Sequence, residues 1–262
     1  MRLKGKSAIV TGAGRGLGRA SAIALAREGA DLVIMSRTPR ELEETAATIM
    51  GAGGTVVIQE GDVASPADIR RVVETALASF GTIDILMNNA AVIGPIRQLH
   101  QIDAGEWEYA MAVNLTGPWL FAREVAPYMI RRNRGKIINV TSGLGEIVMP
   151  PFGAYAIAKA GLIHMTHYLA EELKVHNIQV NGLDPAVMDT RMQEEIRGFG
   201  PAVLGPDVYA SFLSLKERGR LLPPDQVASL VVFLASDESN DITGENGTES
   251  HYRQLGYRRG AV

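Results

Sequence analysis

The chain has 262 residues, 46% hydrophobic and 21% charged, enough to bury a sizeable core in one large α/β domain or in two smaller ones. A formal net charge of −3 gives no general reason to expect nucleic-acid or membrane binding, and no stretch approaches the roughly 18 uninterrupted apolar residues of a membrane span. The absence of cysteine excludes disulfides and thiolate metal sites.

Met1 to Lys6 lead straight into the first apolar run, which predicts no signal peptide and a soluble, cytoplasmic protein. That run, 7–11, reads as a strand; the turn Gly12-Ala13-Gly14-Arg15-Gly16-Leu17-Gly18 follows, then a helix over about 17–28. Strand, glycine turn and helix form a phosphate-binding context: one glycine for the tight turn, one for close backbone approach, one for helix–strand packing, with the helix N-terminus facing the anion. No G-x-x-x-x-G-K-[ST] pattern occurs, which disfavours a P-loop. The second strand, 31–36, ends in Met35-Ser36-Arg37-Thr38 without an acidic residue. A carboxylate there suits the ribose 2′-OH of NAD, whereas arginine accommodates the 2′-phosphate of NADP. With Arg15 as a second cation, NADP is the expected cofactor and NAD the alternative.

A helix at 39–51 and a strand at 55–59 precede Asp62-Val63; a helix at 66–80 and a strand at 83–87 precede Asn88-Asn89-Ala90-Ala91. Helices follow at 104–115 and 117–132. The second ends in Arg131-Arg132-Asn133-Arg134, cations that complement a helix C-terminus, with docking of an acidic carrier protein as the alternative. Strand 135–140 leads to Ser142, and helix 154–175 carries Tyr155 and Lys159 on one face. A phenol with a pKa of about 10 becomes a usable acid or base when an ammonium beside it favours the phenolate. His164 and His167 share that helix, but no further ligands accompany them, so no metal site is expected. Strand 178–183, an irregular stretch at 186–223 that suits a substrate lid, and a helix at 224–235 complete the pattern. Apolar strands alternating with helices predict a single-domain α/β fold, a doubly wound parallel sheet covered on both faces.

Taken together, Thr11-Gly12 to Gly18, Asn88 to Ala91, Asn114, Ser142, Tyr155 to Lys159 and Asp184-Pro185-Ala186 resemble the short-chain dehydrogenase/reductase family from residue 1 to about Gly244. The resemblance implies a Rossmann-type domain that moves hydride between nicotinamide C4 and a carbonyl carbon. It implies Tyr155 as general acid/base, Ser142 bonding the reacting oxygen, and Lys159 on the phenol and the ribose. Asn114 would hold a water that links Lys159 to solvent. For the cofactor it implies Gly12, Arg15, Gly16, Leu17 and Gly18 at the pyrophosphate, Ser36 and Arg37 at the 2′ position, and Asp62 and Val63 at the adenine. Asn89, Ala90 and Ala91 would lie at the ribose, with Pro185, Val187 and Thr190 at the carboxamide. The family usually has glycine where this chain has Ala91 and Ala186; a positive φ at Ala91 would strain it.

The substrate region would be drawn from Gly94 to His100, Leu144 to Gly153 and the lid, with Ile96, Leu144, Ile147, Met149, Phe152, Met188, Met192, Phe199, Tyr209 and Phe212 suiting a largely apolar carbonyl compound or alcohol. Arg97 and Arg191 could pair with an anionic substrate. Two other functions stand beside this one: a 3-oxoacyl-thioester reductase, and a non-catalytic NADP-sensing regulator, which would need no such tetrad. A homo-oligomer, dimer or tetramer, is implied through the helices at 104–132 and 154–175. After Gly244 the resemblance breaks. The tail at 245–262 is polar and lacks strand alternation, so the family's last strand is expected to be missing, displaced or disordered.

Overall fold

A computed structural model describes residues 1–259. β1 (Ser7–Thr11), α1 (Gly16–Arg27), β2 (Asp31–Ser36), α2 (Pro39–Gly51), β3 (Val56–Glu60), α3 (Pro66–Phe80) and β4 (Ile85–Asn88) form the first half. The second comprises α4 (Ala104–Met111), α5 (Gly117–Arg132), β5 (Gly135–Val140), α6 (Gly153–Leu173) and β6 (Ile178–Leu183). It continues through α7 (Arg191–Gly198), α8 (Gly200–Leu204), α9 (Pro206–Glu217), α10 (Pro224–Ala235), β7 (Asn246–Gly247) and α11 (Glu249–Gln254).

The strands make one parallel sheet in the order β3-β2-β1-β4-β5-β6-β7. The period of two explains the continuous apolar runs. Ala8, Val10, Leu32 and Ile34 enter one core with α1 and α10, while Ile9, Val33 and Leu86 enter the other with α3 and α5. The central strands are therefore apolar on both sides. Strand order reverses between β1 and β4, and in such sheets ligands bind in the crevice beyond the carboxyl ends at that point. Local signals act as expected: the Ser65 hydroxyl accepts from Asp68 N at 3.3 Å to start α3, and Gly81, at φ +72°, ends it.

The structure changes three expectations. The helices at 104–115 and 117–132 join through a five-residue π-helical turn, Ala112–Thr116, that carries Asn114. The stretch at 186–223 is not irregular but folds into α7, α8 and α9, separated by Gly200 and Gly205 at positive φ and restarted by Pro201 and Pro206. The last strand is present, cut to two residues: Asn246 and Gly247 pair with Gly182 and Leu183. What replaces its missing length is aromatic anchoring. Tyr252 is fully buried and donates to Gly182 O at 2.7 Å, and Tyr257 is buried against Ser229. The tail's last three residues lie outside the described ones. Among the described residues, no helix is long and apolar enough to cross a membrane.

Candidate functional site

A cavity of about 630 Å³ opens at the carboxyl ends of β1, β2, β4, β5 and β6. It is lined by Gly12, Arg15, Gly16 and Leu17 from the first turn, Ser36 and Arg37 after β2, and Asp62 and Val63 after β3. Asn89, Ala90 and Ala91 follow from β4, then Ser142, Tyr155, Lys159, Pro185, Val187 and Thr190. Of the catalytic and cofactor residues expected at the site, only Gly18 and Asn114 do not line it.

Gly18 acts from behind. A Cβ there would lie 2.2 Å from Gly12 O, so its absence lets α1 sit directly on the end of β1. Gly12 itself turns at φ +65°, and a Cβ on it would meet Asn89 Nδ2 at 2.8 Å. The Asn89 side chain donates to Thr11 O at 2.8 Å, while Thr11 Oγ1 accepts from the amides of Asn89 and Ala90 at 2.9 and 3.0 Å. Thr11 and Asn89 thus clamp the glycine turn to the end of β4. Together the absent Cβ atoms and the free N-terminus of α1 form a cradle that fits a dinucleotide pyrophosphate.

Asn114 is completely buried. Its Oδ1 accepts from Val92 N at 3.1 Å and its Nδ2 donates to Val92 O at 2.9 Å and Ala110 O at 3.0 Å. The side chain is committed to pinning the segment after β4.

At the far end, Ser142 and Tyr155 line the cavity together, and the Ser142 hydroxyl accepts from Leu144 N at 3.2 Å. Lys159 Nζ, 2% exposed, donates to Val140 O at 2.7 Å and lies 5.6 Å from the Tyr155 ring centroid. Burial pushes the phenol up to about 12, the Ser142 hydroxyl opposes this, and the Asp184 charge adds to it. Burial likewise lowers Lys159 to about 8, with Asp184 opposing. The expected lowering of the phenol by the ammonium is thus outweighed by desolvation, the ammonium being turned to the Val140 carbonyl.

The 2′ end holds a carboxylate that the β2 turn did not reveal. Glu41, in the first turn of α2, lines the cavity and lies 3.3 Å from Arg15 and 3.9 Å from Arg191. Arg37 bonds Tyr109 and lies 3.7 Å from Asp62. Arg15 and Arg37 therefore each have an acidic neighbour in the cavity wall. Only the fold brings Glu41 to Arg15 and Arg191.

Of the apolar residues expected around substrate, Leu144, Ile147, Met149, Met188, Met192 and Phe212 line the cavity, joined by Ile93, Ile196 and Leu215. Ile96, Phe152 and Tyr209 instead pack in a third apolar cluster with residues of α7, α8 and α9, and Phe199 is 41% exposed. Arg97 pairs with Glu106 at 3.2 Å, and Arg191 with Glu195 at 3.5 Å. Arg191 lines the cavity, whereas Arg97 does not.

The two glycine replacements behave differently. Ala91 does not have a positive φ, so the expected strain there does not arise, whereas Ala186 sits at φ +55°. A non-glycine residue in that region costs roughly 1–2 kcal/mol. Ala186→Gly is expected to stabilise the fold by about 1 kcal/mol, raising Tm by roughly 2–4 °C, as a thermal melt would show. An unchanged or lower Tm would mean that the turn is unstrained.

A family model described as Enoyl-(Acyl carrier protein) reductase matches residues 12–248. A 3-oxoacyl-(acyl-carrier-protein) reductase of Thermotoga maritima is 35% identical over 94% of this chain and 96% of its own length. An uncharacterized NAD-dependent oxidoreductase of Mycobacterium tuberculosis is 36% identical over 92% and 93%. Among solved structures, carveol dehydrogenase from Mycobacterium avium in complex with NAD superimposes with a TM-score of 0.84 at 31% identity, covering 95% of this chain and 97% of the other.

Proposed function

The chain belongs to the short-chain dehydrogenase/reductase family of nicotinamide-dependent enzymes acting on CH–OH groups, and from that premise we propose that it interconverts a largely apolar carbonyl compound and its secondary alcohol, preferring NADP(H). One observation carries the reading: Tyr155, Ser142 and Lys159 meet where the glycine-rich half of the cavity gives way to the apolar half. When bound, the cofactor supplies or accepts hydride at nicotinamide C4. The protein's task is to stabilise and protonate the oxygen on which charge develops. Ser142 holds that oxygen beside the Tyr155 hydroxyl, which gives its proton in reduction and takes one in oxidation. Lys159, buried behind the phenol, stabilises the phenolate and holds the ribose. Asn114 keeps the segment after β4 in place under that ribose. Gly12, Arg15, Gly16, Leu17 and Gly18 seat the pyrophosphate, Asp62 and Val63 the adenine, Asn89 to Ala91 the ribose, and Pro185, Val187 and Thr190 the carboxamide. Steady-state turnover across a panel of apolar ketones and alcohols tests this; activity confined to charged sugars would overturn the substrate class.

The preference for NADP(H) rests on Arg15, Ser36 and Arg37 at the 2′ end of the cavity. A dianionic 2′-phosphate makes stronger charge-assisted bonds to Arg15 than the 3.3 Å pair with the half-buried Glu41. Arg15→Gln with Arg37→Gln is expected to lower the NADP-to-NAD ratio of kcat/KM by about 10- to 100-fold. Glu41→Gln should raise that ratio. Ratios that do not move would refute the assignment.

Similarity to the Thermotoga maritima reductase supports 3-oxoacyl thioesters as a second substrate class. The Arg131–Arg134 run, the alternative carrier docking site, lies away from the cavity mouth. Arg132 lies 3.0 Å from Asp84, which precedes β4, Arg134 lies 3.6 Å from Asp237, and Arg131 covers the Tyr128 ring. Because the sheet is parallel, this run sits at the amino ends of the strands, opposite the cavity.

A further inference from the structure

We propose that Asp184 is a positioning residue of the active site, closing the turn through Ala186 and fixing a negative charge beside Tyr155 and Lys159. The proposal rests on the assignment of Tyr155 as the acid/base. Asp184 follows β6 directly, and its backbone amide donates to Gly247 O at 2.9 Å, so the short β7 sets its position. Its Oδ1 accepts from Ala186 N at 2.9 Å. A carboxylate bonded to the amide two residues on forms an Asx turn, which holds the backbone from Asp184 into Ala186 in one geometry. Ala186 is the residue that needs this help, at φ +55°. Asp184 and Ala186 thus act as a pair: the side-chain bond of one offsets the backbone strain of the other. Pro185 lies between them, and Val187 and Thr190 follow, all in the cavity lining, so the same bond shapes one wall of the cavity.

The second oxygen points the other way. A Cβ placed on Gly143, next to Ser142, would lie 3.3 Å from Asp184 Oδ2. Asp184 lines the same cavity as Lys159 and Tyr155 from α6 and Gly143 from the turn after β5, with the Ala186 amide on its Oδ1, and Glu146 adds a further charge to its surroundings. Burial and Glu146 raise its pKa, while the Ala186 and Gly143 amides and Lys159 hold it down. Ionised, it opposes formation of the phenolate and favours the Lys159 ammonium. Asp184 is therefore expected to hold both deprotonations at higher pH than the site would otherwise show.

Three variants separate the two roles. Asp184→Asn keeps an acceptor for the Ala186 amide and removes the charge. Asp184→Ala removes both, and Asp184→Ala with Ala186→Gly restores only the freedom of the turn. Thermal melts and pH profiles of kcat and of kcat/KM for NADPH are measured for each. Melting should be near wild type for Asp184→Asn, lower by a few degrees for Asp184→Ala, and recovered in the double variant. The pH limb assigned to Tyr155 should move to lower pH by about half a unit or more in all three. A limb that coincides with wild type in Asp184→Asn overturns the electrostatic role. An Asp184→Ala protein that melts with Asp184→Asn, or is not recovered by Ala186→Gly, overturns the turn-closing role. If Tyr155→Phe keeps its activity in the same assays, the acid/base assignment fails instead, and the melting comparison still decides the turn.

Discussion

Tyr155→Phe is expected to lower kcat by about 10²- to 10⁴-fold, the range for removal of a general acid or base, with NADPH binding nearly unchanged. The ring of Tyr155 is buried in the third apolar cluster with Phe152 and Phe212, and Phe keeps that packing. Only the hydroxyl is lost. Loss of stability would therefore not explain loss of rate. Lys159→Met gives a contrasting result, because the ammonium serves two partners. It should lower kcat and weaken cofactor binding together, since the ribose loses a ligand as the phenolate loses its stabilising charge. Stopped-flow NADPH binding beside steady-state rates resolves the two patterns. A Tyr155→Phe enzyme with wild-type kcat would remove the tyrosine from the chemistry.

Gly18→Ala has the second large effect, this time on cofactor binding. The new methyl would lie 2.2 Å from Gly12 O and 2.8 Å from Gly12 C, backbone atoms that cannot turn aside as a flexible side chain could. Either α1 moves off β1 or the glycine turn opens, and both spoil the pyrophosphate cradle. Overpacking of this kind costs typically about 1–3 kcal/mol in stability, and misplacing the cradle should weaken NADPH binding at least about 10-fold. Gly105→Ala is the control. Its Cβ would meet nothing within 4 Å, and alanine is the better helix former, so binding and melting should hold or improve slightly. Equal behaviour of the two variants in NADPH titration would show that the turn does not seat the cofactor.

The central strands β1, β2, β4 and β5 were legible because they are buried on both faces, which leaves a run of apolar residues that no surface element imitates. Boundaries shifted by a residue or two, as at β4, which starts at Ile85. The cavity lining was legible because its residues immediately follow strands and because their spacing matched a known family. What escaped was whatever depends on distance in space. Glu41 lies on α2, outside the β2 turn that was read for cofactor choice, and only the fold brings it to Arg15. Asp184 was visible as a motif letter, but its role depends on the φ of Ala186 and the nearness of Gly143. The strain expected at Ala91 fell on Ala186 instead, because which alanine takes a positive φ is a property of the turn geometry rather than of the residue type. The lid's helices were hidden by the prolines and glycines that begin and separate them. The shortened β7 was missed because Tyr252 and Tyr257, not strand alternation, hold the tail in place.

The most direct test of the account is a crystal structure of the NADP⁺ complex. It should show the pyrophosphate on Gly12 to Gly18, the 2′-phosphate between Arg15 and Arg37, and the nicotinamide beside Tyr155, leaving room for a substrate carbon about 3–3.5 Å from its C4. A dinucleotide bound outside this cavity, or one whose nicotinamide lies away from Tyr155 and Ser142, would contradict it.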